Sequence, residues 1–151
     1  MYEKILVAVD GSPTSLRGLD EAIKVANAMH GQLMLVHVVN ELVISAEYVT
    51  SVYYVPILVS LRDSGAKVLE QAMSIARRAD VSCEQRLIET LGGRAAEEIV
   101  KQAKEWPADL IVLGTHGRRG LKRLAMGSDA ELILRQSHVP VLMVRDQPEK
   151  S

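Results

Sequence analysis

Short runs of apolar residues alternate with longer amphipathic stretches along the whole chain. The first run, Ile5–Val9, is apolar at every position and ends at the turn-forming residues 10–13, which predicts a central strand of a parallel sheet. Ser12 followed by Pro13 is a favourable start for a helix, and leucine, isoleucine and alanine then recur at helical spacing to about Met29. The first unit is therefore a strand, a turn and a helix.

The same alternation continues to the last strand. Further strands are predicted over Gln32–Val39, Val81–Glu89, Asp109–Leu113 and Val139–Val144, and further helices over 58–79, 95–103 and 128–136. The third strand is the most polar, which suits a sheet edge. The pattern predicts a single-domain α/β fold, with a doubly wound, Rossmann-like, five-stranded parallel sheet and helices on both faces.

Two segments fall outside this pattern. Residues 40–55 have no clear period, and a connection of this length is typical of a lid, a dimer surface or a long linker. After residue 145 the chain is polar. We therefore expect a domain over residues 1–145 and a polar C-terminal tail over 146–151.

Composition narrows the class of protein. The chain has 151 residues, 48% of them hydrophobic, and a formal net charge of −1, as in ordinary globular domains. A single cysteine, Cys83, excludes an internal disulfide and a cysteine-based zinc cluster. The N-terminus shows no signal-peptide pattern, and the uncharged run over 48–61, which has 14 residues, is too short to span a membrane. We expect a cytoplasmic protein without membrane insertion.

The main candidate for chemistry lies after the fourth predicted strand. Gly114 and Gly117 are followed, after nine intervening residues, by Gly127-Ser128, where a helix is predicted to begin. Glycines allow backbone N–H groups to approach an anion, and a helix N-terminus adds unpaired N–H groups and a positive dipole end. The segment also carries four cations: Arg118, Arg119, Lys122 and Arg123.

This spacing predicts a phosphate site, but the site belongs to neither of the two common glycine-rich types. It matches neither the Walker A pattern nor the dinucleotide fingerprint in any register. The alternative interpretation is a glycine-rich surface loop with solvated charges. Asp10, residues 38–40 and residues 114–117 all follow predicted strands, and the carboxyl ends of parallel strands share one edge of a sheet. They can therefore line one crevice.

With these segments assembled, the chain resembles the universal stress protein family over essentially its whole length. The resemblance rests on ILVAVDGS at the start, LVHVV in the second strand, ADLIVLGTHGRRG, the GS before the last helix and VPVLMV at the end. The ATP-binding branch of that family has the loop G-2x-G-9x-G-[ST], which Gly114, Gly117, Gly127 and Ser128 match without a gap.

The resemblance implies a role for each matching position. Asp10, with Ala8 and Val9 nearby, would face the adenosine end of a nucleotide, and Val38 would contact adenine. The four motif residues would hold ribose and phosphates through backbone N–H groups and the serine hydroxyl. Three further residues would flank them: Thr115, His116 and Arg118. The implied ligand is ATP, with Mg²⁺ on its phosphates.

Structural roles compete with these assignments at three positions. Asp10 is also a favoured turn residue, Val38 suits simple core packing, and Ser128 could act as a helix N-cap. Asp129 raises a separate question, because a carboxylate beside the proposed phosphate-binding serine would repel a nucleotide unless it points away or helps to hold a metal. His37, inside the second strand, is interpreted as a core residue.

Three functions follow from this pattern. The first is an ATP-binding stress or regulatory protein that signals nucleotide occupancy to an unknown protein partner. The second is a slow ATPase or autophosphorylating enzyme, for which Asp10 and His116 are the residues to test; no general base beside a nucleophile and no Walker B carboxylate is evident. The third is an interaction module that binds no nucleotide.

Partners are predicted from the same features. The resemblance implies a homodimer, and the apolar strand Val139–Val144 offers an edge that would otherwise be left unpaired. Nucleic-acid binding is not expected, because the cations are confined to one loop and the sequence shows no aromatic stacking platform.

Overall fold

The structure is a computed structural model of the chain, and it describes residues 1–40, 54–115 and 127–145. Within them the chain alternates strands and helices from beginning to end. In chain order the elements are β1 (Lys4–Ala8), α1 (Pro13–Met29), β2 (Gln32–Asn40), α2 (Tyr54–Arg78), β3 (Cys83–Thr90), α3 (Ala95–Glu105), β4 (Leu110–Gly114), α4 (Ser128–Gln136) and β5 (Val141–Val144).

The five strands form one parallel sheet in the order β3-β2-β1-β4-β5. Val7 pairs with Leu35 of β2 on one side and with Val112 of β4 on the other, so β1 is central. The polar strand β3 lies at one edge, as its pattern predicts, and β5 lies at the other. The predicted doubly wound, five-stranded fold is confirmed.

Each face of the sheet is covered by a pair of helices. One core packs α1 and α2 against alternate strand residues that include Ile5, Val7 and Leu35. The other packs α3 and α4 against the intervening residues, among them Leu6, Val36 and Ile111. All six of these side chains are at most 1% exposed. Because both faces are buried, these strands are apolar at nearly every position instead of alternating with polar residues.

The observed element boundaries differ from the predicted ones by a few residues. α2 begins at Tyr54, four residues before the predicted start at residue 58. β5 begins at Val141 and not at residue 139, because Val139 is held in a turn by two hydrogen bonds with the hydroxyl of Ser137. Most of the aperiodic segment 40–55, and the whole tail 146–151, lie outside the described residues.

Two further expectations from the sequence concern membrane insertion and His37. None of the helices in the described ranges is both long and apolar enough to cross a membrane. His37 is half-buried on β2, and its Nδ1 donates to the backbone carbonyl of Val9 at 2.8 Å, so it is a hydrogen-bonded core residue as interpreted from the sequence.

Candidate functional site

The order of the strands places a crevice at the carboxyl ends of β1 and β4. From β1 the chain moves outward through β2 to β3, and it then crosses back to place β4 on the other side of β1. In open α/β sheets, ligands bind outside the carboxyl ends of the strands at this reversal. The connections β1–α1 and β4–α4 leave the sheet at this point, and both contain residues predicted for the site.

The β1–α1 turn is held by hydrogen bonds among short polar side chains. Oδ1 of Asp10 accepts from the N–H of Ser12 at 2.8 Å, and the N–H of Asp10 donates to Oγ of Ser15 at 3.1 Å. Oγ of Ser12 in turn accepts from the N–H of Ser15 at 3.2 Å and caps α1. Gly11 supplies the left-handed conformation, with φ of 82°, that the turn needs.

Asp10 therefore takes the turn-forming role that the sequence offered as an alternative to ligand contact. Its carboxylate fixes its own turn, and this gives residue 10 a defined backbone directly after the end of β1. The preceding N–H, that of Val9, donates to the carbonyl of Val36 at 2.9 Å, so Val9 still belongs to the sheet ladder.

Gly114 is the last residue of β4, and it packs against the beginning of α1. A Cβ at this position would lie 2.9 Å from Cγ2 of Thr14 and 3.1 Å from the backbone nitrogen of Ser15. Atoms at that distance overlap, so only glycine allows this approach of strand and helix. The first glycine of the motif thus allows the end of β4 to pack closely against the start of α1.

The other end of the motif returns to the same place. The N–H of Gly127 donates to the carbonyl of Thr115 at 2.8 Å, and the N–H of Thr115 donates to the carbonyl of Val144 at 3.0 Å. Thr115 is buried, at 5% exposed. In this structure the backbone N–H of Gly127 is therefore engaged within the fold, and its contact with a phosphate stays a prediction.

Ser128 is the first residue of α4, as the sequence predicts. Gly127, and not Ser128, occupies the N-cap position, and no side chain there caps the helix. The N–H groups of a first helical turn have no acceptor within their own helix. Ser128 thus brings its hydroxyl and the start of a helix to the crevice, and it is not the N-cap residue that the sequence allowed.

Two small apolar residues lie at the carboxyl ends of the neighbouring strands. Ala8 of β1 and Val38 of β2 are both half-buried, and both pack against the core formed with α3 and α4. Val38 thus has the packing role that the sequence offered for it, while part of its surface remains uncovered. A partly covered apolar surface at strand ends is suited to the flat face of a heterocyclic ring.

The carboxylate of Asp129, beside the start of α4, forms an ion pair with Arg94. One guanidinium nitrogen of Arg94, Nη2, donates to Oδ1 of Asp129 at 3.3 Å, and both side chains are about half exposed. Arg94 is the N-cap residue of α3, so the ion pair joins the beginnings of α3 and α4. Beside it is an open cavity of about 140 Å³, lined by Arg94, Ser128, Glu131, Leu132 and Arg135.

Several predicted site residues lie outside the described residues: His116, Gly117 and Arg118, together with the other cations of the loop. Of the predicted site, the structure brings together Ala8, Val9, Asp10, Gly114, Thr115, Gly127 and Ser128 around the strand ends, with Val38 on the neighbouring strand. No group of three or more potential metal ligands occurs among the residues that the structure describes.

Two residues at the site are not identified by the sequence pattern. Ser15 organises the β1–α1 turn, and its signal is a serine three residues after the helix cap. Arg94 lies 35 residues before Asp129, and only the unexplained acidic residue beside Ser128 suggests that a cation should be near.

Both the sequence and the fold match known proteins. Residues 1–145 match the model of the universal stress protein family. The chain is 36% identical to the universal stress protein YxiE of Bacillus subtilis, with 96% of this chain and all of that protein covered. It also resembles the solved structure of the protein MJ0577 of Methanocaldococcus jannaschii, with a TM-score of 0.85, 26% identity and 99% of both chains covered.

A further similar structure contains a nucleotide. It is a universal stress protein from Archaeoglobus fulgidus in complex with dAMP, with a TM-score of 0.68 and 25% identity, covering 95% of this chain and 98% of that one. The family match spans nearly the whole chain, and the curated relative exceeds 30% identity over its full length. The chain belongs to the universal stress protein family.

Proposed function

We propose that this protein binds ATP at the carboxyl ends of β1, β2 and β4 and signals nucleotide occupancy to a partner protein. The observation that carries the proposal is the meeting of partly covered apolar strand ends with the start of α4 at the reversal point of the sheet. The complex of the Archaeoglobus fulgidus protein with dAMP supports an adenine nucleotide as the ligand class.

Each part of the crevice suits one part of the nucleotide. The half-buried surfaces of Ala8 and Val38 offer apolar contact to adenine. Ser128, with the first-turn N–H groups of α4, offers hydrogen-bond donors and a positive dipole end to phosphate. Asp10 fixes the turn between β1 and α1, and the first residues of α1 pack against Gly114.

Mg²⁺ fits the proposal only as an ion carried mainly by the phosphates. The described residues contain no cluster of protein ligands for a metal, and Asp129 is paired with Arg94. Mg²⁺ commonly keeps most of its water and takes few protein ligands when it accompanies a nucleotide. When bound, it would neutralise part of the phosphate charge at the start of α4.

The proposal includes a homodimer formed through β5. This strand of four residues is an edge of the sheet, and Pro140 and Val144 both present their carbonyls to β4. Backbone groups alternate in direction along a strand, so those of Val141 and Met143 face the open side. An exposed strand edge is a template for pairing with a second chain.

The first test is whether the freshly purified protein carries a nucleotide. Mass spectrometry of material released on denaturation, followed by calorimetric titration of the emptied protein with ATP and Mg²⁺, is expected to show an adenine nucleotide or saturable micromolar binding. An empty protein that shows no heat of binding with ATP would favour the interaction module instead.

A matched pair of variants locates the site. Ser128→Ala removes a hydroxyl from the start of α4 and is expected to weaken ATP binding by about tenfold, the usual worth of a hydrogen bond to a charged group. Ser60→Ala removes a hydroxyl from an exposed position of α2 and should leave affinity unchanged. Equal affinity of both variants for ATP would place the nucleotide elsewhere.

A further inference from the structure

The Arg94–Asp129 ion pair lies at the phosphate end of the proposed crevice. The pair joins the N-cap of α3 to the first turn of α4, with 3.3 Å between Nη2 and Oδ1. Asp129 follows Ser128 directly, and Arg94 and Ser128 line the same cavity of about 140 Å³. The two opposite charges are thus held beside the residue to which we assign the phosphates.

The ion pair contributes little to holding the fold together. Arg94 and Asp129 are 49% and 55% exposed, and ion pairs this exposed contribute little to stability because water and salt screen them. A charge effect on ligand binding is therefore separable from an effect on folding. This makes the pair suitable for a double-mutant cycle.

Of the two cations that line the cavity within the described ranges, Arg94 is the better placed. Arg135 is seven residues along α4 from Ser128, a distance of about 10 Å at helical rise, and its Nη2 is bonded to Glu131 at 2.7 Å on the preceding turn. Arg94 comes from another helix and reaches the first turn of α4 directly. Its bond to Asp129 is longer, at 3.3 Å, than the bond of Arg135 to Glu131.

We infer that Arg94 and Asp129 form a charge-selective clamp that determines how strongly the site prefers nucleotides with more phosphate charge. This inference rests on the proposed function. Arg94 exchanges its bond to Asp129 for a phosphate oxygen, and the carboxylate of Asp129 opposes the same phosphate. Asp129 thus limits the affinity for highly charged nucleotides, and Arg94 offsets that repulsion.

The test is a double-mutant cycle with three ligands of different charge: ATP, AMP and adenosine. We expect Asp129→Asn to tighten ATP binding by about threefold and Arg94→Gln to weaken it by about fivefold, as for unit charges several ångströms apart in a largely aqueous environment. The double variant should return close to wild type. Changes should be smaller for AMP and absent for adenosine, and they should shrink as salt rises.

Two controls separate charge from structure. Arg94→Lys keeps the cation and should bind ATP within about twofold of wild type, given that the electrostatic attraction is retained. Glu21→Gln and Lys24→Gln remove an exposed ion pair of α1, with 2.7 Å between Nζ and Oε1, and should leave ATP binding unchanged. Thermal unfolding of every variant should stay close to wild type.

The possible outcomes distinguish the clamp from the proposed function. If wild type binds ATP but Arg94→Gln and Asp129→Asn both bind it as wild type does, the clamp is wrong and the nucleotide site stands. If Asp129→Asn weakens ATP binding only when Mg²⁺ is present, Asp129 serves the metal and the clamp is also wrong. If wild type binds neither ATP nor adenosine, both proposals fail.

Discussion

Nδ1 of His37 donates a hydrogen bond to the backbone carbonyl of Val9 at 2.8 Å. The bond joins β2 to the residue that follows β1, immediately before the Asp10 turn. A carbonyl can only accept, so the imidazole carries a proton on Nδ1. The ring also packs against α2, because a Cβ at Gly65 would lie 2.7 Å from its Cδ2. One side chain thus connects the strand end, the turn and a helix.

Replacing His37 should therefore destabilise the fold. His37→Leu leaves the Val9 carbonyl without its donor, which is expected to lower the free energy of unfolding by about 1–3 kcal/mol. Urea denaturation monitored by circular dichroism measures the change. His138→Leu, at an exposed position before β5, serves as the control and should change it by less than about 0.5 kcal/mol. Equal stability of the two variants would show that the bond is dispensable.

The two motif glycines that the structure describes should respond differently to a methyl group. Gly114→Ala places a Cβ against the backbone and side chain of Thr14, and we expect a loss of about 1–3 kcal/mol from overpacking. Gly127 has φ of −56°, which any residue adopts, and the contact that its Cβ would make among the described residues is with the Thr115 carbonyl, at 3.3 Å. Gly127→Ala should thus cost clearly less stability in chemical denaturation, and a reversed order would contradict this assignment.

Cys83 gives a pH-dependent prediction. Burial raises the pKa of its thiol above the ordinary value, and the nearby Arg77 opposes this only in part. The folded chain therefore holds the thiol proton more tightly than the unfolded chain does. The contribution of this thiol to stability is fully present below its pKa in the unfolded chain, and it is lost as the pH rises through its pKa in the folded chain.

The measurable consequence is slow thiol chemistry. At pH 8 the native protein should react with a disulfide reagent more slowly than the urea-unfolded protein, because the thiolate is the nucleophile. Cys83→Ala should remove both the reaction and this component of the alkaline loss of stability. A native rate equal to the unfolded rate would mean that the thiol is not protected at the β3 edge.

The proposed dimer can be tested at the first residue of β5. Val141→Pro removes an N–H that faces the open side of the sheet, and proline is tolerated at the first position of an edge strand. We expect a shift from dimer to monomer in analytical ultracentrifugation with the circular dichroism spectrum retained. A wild-type monomer, or a variant that stays dimeric, would remove β5 from the interface.

Most of the architecture could be predicted because the apolar runs are short and continuous. Ile5–Val9 and Asp109–Leu113 each identify a buried strand to within one residue, and the glycines after the second run mark where the chain turns. The start of α2 was missed, since Val55 and Val59 are 64% and 46% exposed and do not share the period of its buried face. Pro56 is compatible with the first turn of that helix, where an N–H has no acceptor.

The site was predicted less completely than the fold, because its charges pair across long sequence distances. The sequence places Ser128 at the start of α4, but no pattern links Arg94 to Asp129, and the capping role of Ser12 gives no sign that Ser15 bonds to Asp10. Gly127 fits the motif, yet its N–H goes to Thr115. The spacing of a motif predicts which residues come together. The direction in which each backbone N–H points depends on the packing around it.

The bond between Gly127 and Thr115 also bears on how the family can vary. It joins the residues on either side of 116–126 at 2.8 Å, so a backbone hydrogen bond connects the end of β4 directly to the start of α4. Lengthening a loop between two fixed ends adds little closure entropy, about 0.6 kcal/mol for each doubling of its length. Insertions, deletions or a grafted recognition sequence between these two residues are therefore a low-cost route by which evolution or an engineer could give the same scaffold a new ligand.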